Sequence, residues 1–381
     1  MTEETMKKII EIPLQGQQEL QGFTDGISDD DKELLQFYES TKPKIYVLGM
    51  GGSGSNTLGR MTQIGVVGAT TIAMNTDVQH LMKTKADRKV LIGKKTTRGL
   101  GAGSDPEVGE AAASESAEEI KKLIGDASLV FITCGMGGGT GTGSAHIAAK
   151  IASELGALTV GVVTMPFASE GARRRENAIK GLENLRKAVD TLIVIPNDKL
   201  LSIVPDLPLD TAFRVSDEVL SRAVKGIAEM ITVPGLINLD LADLRTILKQ
   251  GGYAMIGVGE SMVDSPYDER ALVSIETALS SPLLDVDITT TNRAIINVTG
   301  GEDMTLREAE MIASEVAKKI SPDAHIIWGA RVERNLKKSA IQTLVVLAGA
   351  KIPDYSSRIA ESPASQAAVE AIDLDELDLA V

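Results

Sequence analysis

Residues 135–143 read G-M-G-G-G-T-G-T-G, a run in which only Met136, Thr140 and Thr142 interrupt the glycines. The apolar run Leu129-Val130-Phe131-Ile132-Thr133 before it reads as a buried strand, and Ser144 to Leu155 after it as a helix, so the glycines occupy a strand-to-helix turn. Backbone N–H groups at such a turn can converge on an anion. Glycine permits positive φ and brings the backbone close to a ligand without a Cβ in the way, while Thr140 and Thr142 add hydroxyl donors. The chemistry expected is phosphate binding, with Gly135, Gly137, Gly138, Gly139, Thr140, Gly141, Thr142 and Gly143 as candidates. A flexible linker would favour Ser, Pro and charge and would not lie between two core-like segments.

A second glycine turn, Gly49-Met50-Gly51-Gly52-Ser53-Gly54, follows the apolar run Ile45–Leu48 and fits G-x-G-x-x-G. Asp77 ends the next apolar run about twenty residues on, where a dinucleotide-binding fold keeps its ribose acid. Alone, this pair favours an NAD(P)-dependent oxidoreductase. The glycine run at 135–143 is not a feature of that fold, and two glycine turns fit a nucleotide gripped from two sides. No G-x-x-x-x-G-K-[ST] occurs, so backbone amides and not a P-loop lysine must carry the phosphates of any nucleoside triphosphate.

The elements that position these turns follow from the hydrophobic pattern. Strands are expected at Ile45–Leu48, Thr70–Met74, Val90–Ile92, Leu129–Thr133, Leu158–Val163 and Leu192–Ile195, alternating with helix-patterned stretches, which argues for a parallel sheet covered by helices. Between Pro208 and Pro234, Phe213, Leu220, Val224, Ile227 and Ile231 recur at helical spacing, with Asp210 as N-cap, and predict one long helix. A second set of strands at Ala254–Val258, Ala294–Val298, Ile326–Trp328 and Thr343–Leu347, with helices at about 268–280 and 305–320, implies a smaller second α/β domain. Residues 1–41 read as an acidic extension with one short surface helix near Phe37. Residues 351–381, with D-L-D-E-L-D-L at 373–379, read as a disordered acidic tail.

Composition excludes several classes. The net charge of −14 is concentrated at the ends, with 10 acids against 4 bases in residues 1–42 and 7 against 1 in residues 352–381, so the body is close to neutral. No basic cluster beyond Arg173-Arg174-Arg175 and 3% aromatics give nucleic-acid binding no support. A single cysteine, Cys134, excludes an internal disulfide framework and fits a reducing cytoplasm, where it reads as a buried small residue. With His80, His146 and His325 scattered, no protein-held metal centre is expected.

Four further segments, N-T-D at 75–77, T-R-G-L-G-A-G at 97–103, Glu170-Gly171 with Arg174 and Asn177, and N-L-D-L-A-D at 238–243, make the chain resemble the tubulin/FtsZ superfamily, and its FtsZ branch in particular, over residues 35–350. The resemblance implies a Rossmann-like parallel-sheet GTPase domain (42–209), a central helix (210–233) and a smaller α/β activation domain (234–350). It implies a cytoplasmic GTPase that binds GTP or GDP with Mg²⁺ held mainly by the phosphates. It also implies assembly head to tail into protofilaments of a mid-cell division ring. Gly51, Gly52, Ser53 and Asn56 then resemble the first phosphate loop, with Asn56 near the base. Gly101, Ala102 and Gly103 resemble the loop that meets the γ-phosphate. Asn75 and Asp77 join the nucleotide-binding set. Glu170 and Arg174 resemble the pair on ribose and phosphates, and Asn197 a further base or ribose contact. Phe213 and Asp217, four apart on one helix face, could stack a purine and accept from guanine N1–H and the 2-amino group, donors that adenine lacks.

The nucleotide loops contain no evident base for the attacking water. Asp240 and Asp243, with Asn238, resemble the family's acidic loop, which acts in the neighbouring subunit's site; on pattern alone they would cap a helix. The short acidic tail sets the chain apart from bacterial members, whose basic C-terminal peptide recruits membrane anchors. It suggests an archaeal type whose ring partners or anchor would engage the tail.

Overall fold

The computed structural model describes residues 37, 42–203, 209–261, 269–284, 288–333, 336 and 340–349. The expected acidic extension and acidic tail fall almost wholly outside the described residues. The described residues from 44 to 349 form one compact unit built on a ten-stranded sheet.

The first half follows the alternation in the sequence: β1 (Ile45–Met50), α1 (Gly51–Ile64), β2 (Ala69–Asn75), α2 (Val78–Lys83), β3 (Arg88–Leu91), α3 (Pro106–Glu115), α4 (Ala117–Leu123), β4 (Leu129–Gly135), α5 (Thr140–Glu154), β5 (Leu158–Met165), α6 (Ala172–Ala188), β6 (Thr191–Pro196) and α7 (Asn197–Ile203). Strands β1 and β5 are buried along their whole length, as strands covered on both faces must be, whereas edge strand β3 opens with exposed Arg88 and Lys89. All six strands run parallel in the order β3-β2-β1-β4-β5-β6. The order reverses between β1 and β4, and a crevice opens at the carboxyl ends of strands flanking such a switch point.

The second half comprises α8 (Leu209–Thr232), α9 (Leu241–Leu248), β7 (Gly252–Glu260), α10 (Arg270–Leu279), β8 (Arg293–Gly300), α11 (Leu306–Lys319), β9 (His325–Val332) and β10 (Ile341–Ala348). The ten expected strands are all present. Strand β10 runs antiparallel to β7 and β8, which reverses the chain at the far side of the sheet. The two halves do not have separate sheets: β6 and β7 pair in parallel over three residues, Thr191↔Gly252 to Ile193↔Ala254.

The cores explain why α8 sits centrally. One apolar cluster takes Leu220, Val224 and Ile227 of α8, all fully buried, together with Leu58 and Met61 of α1, Ile195 of β6, Ile256 of β7 and Val346 of β10. Each such side chain contributes about 1.5–3 kcal/mol on burial, so the helix joins both halves of the sheet on one face. The opposite face has two separate clusters, one under α3 and α5 and one under α10 and α11. Helix α8 starts at Leu209, so Asp210 lies within its first turn and is not the N-cap that its residue type suggested. Among the described residues no helix is long and apolar enough to cross a membrane.

Candidate functional site

A cavity of about 530 Å³ lies at the carboxyl ends of the parallel strands. Its floor is made by the starts of α1 and α5, which leave β1 and β4 on either side of the switch point. The sequence places glycine where both turns need it. Gly51 has φ +70°, and a Cβ there would lie 2.8 Å from the Gly141 nitrogen. Gly54 passes so close to β4 that a Cβ would meet the Thr133 carbonyl oxygen at 2.4 Å. Neither helix has a side-chain cap at its N-terminus, whereas Asp77, Asp105, Asp240 and Thr305 cap α2, α3, α9 and α11. Two uncapped helix starts, each equivalent to roughly half a positive charge, therefore face one cavity.

Most expected phosphate and sugar contacts meet there: Gly52, Ser53, Asn75, Asp77, Gly101, Gly135, Gly138, Gly139, Thr140, Gly141, Glu170 and Arg174 all line the cavity, as does Asn56, expected near the base. The Thr140 hydroxyl lies 2.6 Å from that of Thr76. Glu170 accepts from the Phe167 N–H at 2.9 Å and pairs with Arg174 one turn on, which fixes both side chains at the rim. The base end holds Phe213, Asp217 and Asn197. Phe213, 38% exposed, does not join the core; it meets buried Phe167 edge to face, with centroids 5.2 Å apart, and leaves its own face available for stacking. Asp217 accepts from the Thr57 hydroxyl at 3.0 Å, and burial pushes its carboxyl up to about 6. Ser216 donates to Asn197 Oδ1 at 2.9 Å, which leaves the Asn197 amide nitrogen for other partners.

Several candidates have other positions. Helix α5 begins at Thr140 and not at Ser144, so Gly141, Thr142 and Gly143 are helical. Gly143 faces α3, where a Cβ would meet the Pro106 carbonyl oxygen at 1.9 Å. Thr142 is 3% exposed and its hydroxyl accepts from the Gly137 N–H at 2.9 Å, so it holds the loop in shape and is not aimed at a ligand. Gly137, φ +98°, packs against the Arg174 carbonyl. Ala102 is buried against Gly139, and Gly103 turns the loop with φ +58°. Gly51, Ala102, Gly103, Gly137, Thr142 and Gly143 thus shape the cavity without lining it. Asp77 Oδ1 accepts from the Gln79 and His80 N–H groups at 2.8 and 3.0 Å, an N-cap of α2 that departs from the ribose role of a dinucleotide fold.

The cavity is also lined by Met50, His80, Ser104, Met136, Thr164, Pro166 and Ser216, which the sequence did not single out. Ser216 neighbours Asp217 and lies one turn from Phe213, and Ser104 closes the 97–103 loop, so helical spacing and motif adjacency could have found both. Thr164 and Pro166 come from the end of β5 and become recognisable only once strand order is known. Cys134, fully buried under the loop, has its thiol pushed up to about 12, as suits a packing residue.

Asp240 and Asp243 form a reciprocal capping box on α9: the Asp243 N–H donates to Asp240 Oδ1 at 2.8 Å, and the Asp240 N–H to Asp243 Oδ2 at 3.2 Å. Asn238 Oδ1 accepts from the Gly235 N–H at 2.6 Å. None of the three lines the cavity. They follow the far end of α8, a 24-residue helix about 36 Å long that carries Phe213 and Asp217 near its start. Arg245 of α9 donates to the Ser128 and Gly156 carbonyls, one and two residues before β4 and β5, at the end of the sheet opposite the cavity.

The chain matches the model of the Tubulin/FtsZ family, GTPase domain, over residues 44–205 and that of the FtsZ family, C-terminal domain, over residues 252–351. It is 54% identical over 333 residues to Cell division protein FtsZ 1 of Archaeoglobus fulgidus, covering 87% of this chain and 89% of that protein. A relative of the same name from Methanocaldococcus jannaschii is 54% identical over 323 residues, covering 85% and 87%. Among solved structures, an empty FtsZ dimer of M. jannaschii superposes with a TM-score of 0.80 at 54% identity, covering 85% of this chain and 93% of that one. The GDP-bound CetZ1 monomer of Haloferax volcanii, at 20% identity and a TM-score of 0.72, shares the fold. The glycine turns, the central helix and the ten-stranded sheet are thus those of a known GTPase architecture, and the chain belongs to the FtsZ branch of the tubulin/FtsZ family.

Proposed function

We propose that the protein is a cytoplasmic, guanine-specific GTPase of cell division that polymerises head to tail, each active site being completed by the acids of the adjacent subunit. The observation that carries this reading is the separation within one chain of two parts that hydrolysis needs together. The uncapped starts of α1 and α5 and the Phe213/Asp217 pair line one cavity at the carboxyl ends of the strands. Asp240 and Asp243 lie beyond the far end of α8, and their helix is anchored at the amino ends of β4 and β5. Stacking one chain on the next along the strand direction would bring the acids of one over the cavity of the other. They would then polarise the attacking water while the amides and Thr140 stabilise charge on the transferring phosphoryl group.

Guanine choice follows from Asp217, which in its ionised form accepts from two N–H groups that only guanine presents on that edge. Mg²⁺ would be held mainly by the phosphates, with Asp77 and Thr140 the hard oxygen donors beside them. The two parts of the sheet and the helix between them would act as the nucleotide domain (42–209), central helix (210–233) and activation domain (234–350). The filament would contribute to a mid-cell division ring, with the acidic 351–381 segment the part that meets ring partners or an anchor.

Phosphate release measured against protein concentration tests the shared site. The expected result is hydrolysis per subunit that falls steeply on dilution, parallel to loss of polymer in a pelleting assay. Constant hydrolysis per subunit across the same dilution would overturn it. Chromatography of nucleotide released from the denatured protein tests base choice, with GDP or GTP expected and NAD contradicting it.

A further inference from the structure

His80 has no role in the reading above, yet with Asn56 and Asp217 it is one of three residues that line both the nucleotide cavity and an adjoining cavity of about 680 Å³. Its protonation pattern is set by a chain of hydrogen bonds that begins at the backbone. The Asp77 N–H donates to Asn75 Oδ1 at 3.2 Å. That assigns the other end of the amide, Nδ2, to the side facing His80 Nδ1, 3.4 Å away. An amide nitrogen only donates, so Nδ1 is the accepting nitrogen and the neutral ring carries its hydrogen on Nε2. Turning the amide over would set Nδ2 against the Asp77 N–H, donor to donor, and Asn75 is 3% exposed, so water cannot relieve the mismatch.

The backbone of His80 is held as firmly. Its N–H donates to Asp77 Oδ1 at 3.0 Å and its carbonyl accepts from the Thr84 hydroxyl at 3.0 Å. The imidazole is half-buried. The one ring nitrogen on which no protein group converges among the described residues is the Nε2–H donor, on a ring that borders both cavities.

We infer that His80 is a nucleotide-binding residue whose Nε2–H, oriented by Asn75, donates to an acceptor on the purine–ribose portion of the bound guanine nucleotide. The inference rests on the guanine-nucleotide reading. The nucleoside and not the phosphate chain is indicated by position. The residues that share the junction of the two cavities with His80 are Asn56 and Asp217, at the base end, whereas the phosphate chain belongs over the starts of α1 and α5. Asn75 then acts as a positioning residue, contributing through the imidazole it holds.

The experiment combines nucleotide titration with imidazole ¹⁵N NMR. The chain has three histidines, so the His80 signals are assigned by their loss in His80→Gln. The expected result is an Nε2–H tautomer in the ligand-free protein and a shift of the His80 Nε2 and Hε2 signals on saturation with GDP. His80→Ala should weaken GDP and GTP by the same factor, about tenfold, as a contact to the nucleoside requires. His80→Gln, whose amide can offer an N–H from a similar position, should retain affinity within about threefold of wild type. An Nδ1–H tautomer, His80 signals that GDP leaves unmoved, wild-type affinity in His80→Ala, or a loss confined to GTP would each overturn the inference. If His80→Ala does not fold, as judged by its far-UV circular dichroism, the wild-type NMR decides alone. Failure of the wild-type protein to bind any guanine nucleotide is seen in the first titration and would overturn the guanine reading as well.

Discussion

Burial raises the Asp217 carboxyl to about 6 in the ligand-free cleft, and only its ionised form can accept from both guanine donors. GDP affinity should therefore be constant above about pH 7 and fall as the pH drops through 6, approaching tenfold per unit below it. Equilibrium titrations between pH 5 and 8 check this, and a flat profile would remove Asp217 from base recognition. The same raised value has a sign for stability: a carboxyl whose folded pKa exceeds its unfolded value favours folding least at high pH. Asp217→Asn should thus leave the unliganded protein as stable as wild type or more so at pH 8 while weakening GDP, by the loss of an acceptor, about 10- to 100-fold. A melting curve and a GDP titration on one sample separate these effects.

At the scale of elements, helices α3 and α5 touch through glycines. A Cβ on Gly143 would lie 1.9 Å from the Pro106 carbonyl oxygen, and one on Gly109 would lie 2.3 Å from that of Gly139. Both neighbours are backbone and cannot rotate away. Gly143→Ala should cost about 1–3 kcal/mol, and because α5 begins within the phosphate loop it should also weaken GTP. Gly156→Ala is a contrasting control: it places its Cβ in open space but at φ +84°, so its smaller cost is one of backbone strain without effect on nucleotide. Urea denaturation with and without GDP distinguishes the two. Helix α8 is tied to the second half by buried charge. Glu229, 2% exposed, accepts from the Val67 N–H and pairs with Arg331 of β9. Glu229→Ala removes one of the two carboxylates on Arg331, Glu333 remaining at 3.4 Å, and leaves the Val67 N–H without its acceptor, so it should destabilise the chain by about 1–3 kcal/mol, read as a lower urea midpoint.

For the whole molecule, cavity and acids occupy opposite ends of one body, so complementation in mixtures is expected. Asp243→Ala chains keep an intact cleft, and Asp217→Asn chains keep intact acids. Each alone should hydrolyse GTP slowly. Their mixture should exceed the sum of the two, because some junctions join a good cleft to a good acid pair. Additive rates at every ratio would mean that each chain works alone. Loss of the capping box in Asp243→Ala costs about 1 kcal/mol, too little to mimic a catalytic defect by unfolding, and a melting curve confirms that.

Local chemistry made much of this protein legible from its residues in order. Short apolar runs alternating with helix-patterned stretches predicted all ten strands, helical spacing predicted the core face of α8, and the glycine turns located the ends of β1 and β4, because only glycine tolerates the φ values and close approaches found there. The same reasoning could not tell which glycines meet a ligand and which meet another helix: Gly138 and Gly143 look alike in a sequence, and the position of α3 makes the difference. Nor could it show that the two halves share one sheet, since three pairs between β6 and β7 leave no trace in composition. It started α5 four residues late, because glycine has poor intrinsic helix propensity and packing against α3 outweighs that preference. The roles of Thr142, turned inward to the Gly137 amide, and His80, turned to Asn75, depend on how a loop folds back on its own helix and on an amide's orientation, although each partner is only five residues away. Residue types thus determined the kind of chemistry and the segments that carry it, while strand order and packing decided which atoms face the cavity, because those depend on distances between elements that a linear order does not contain.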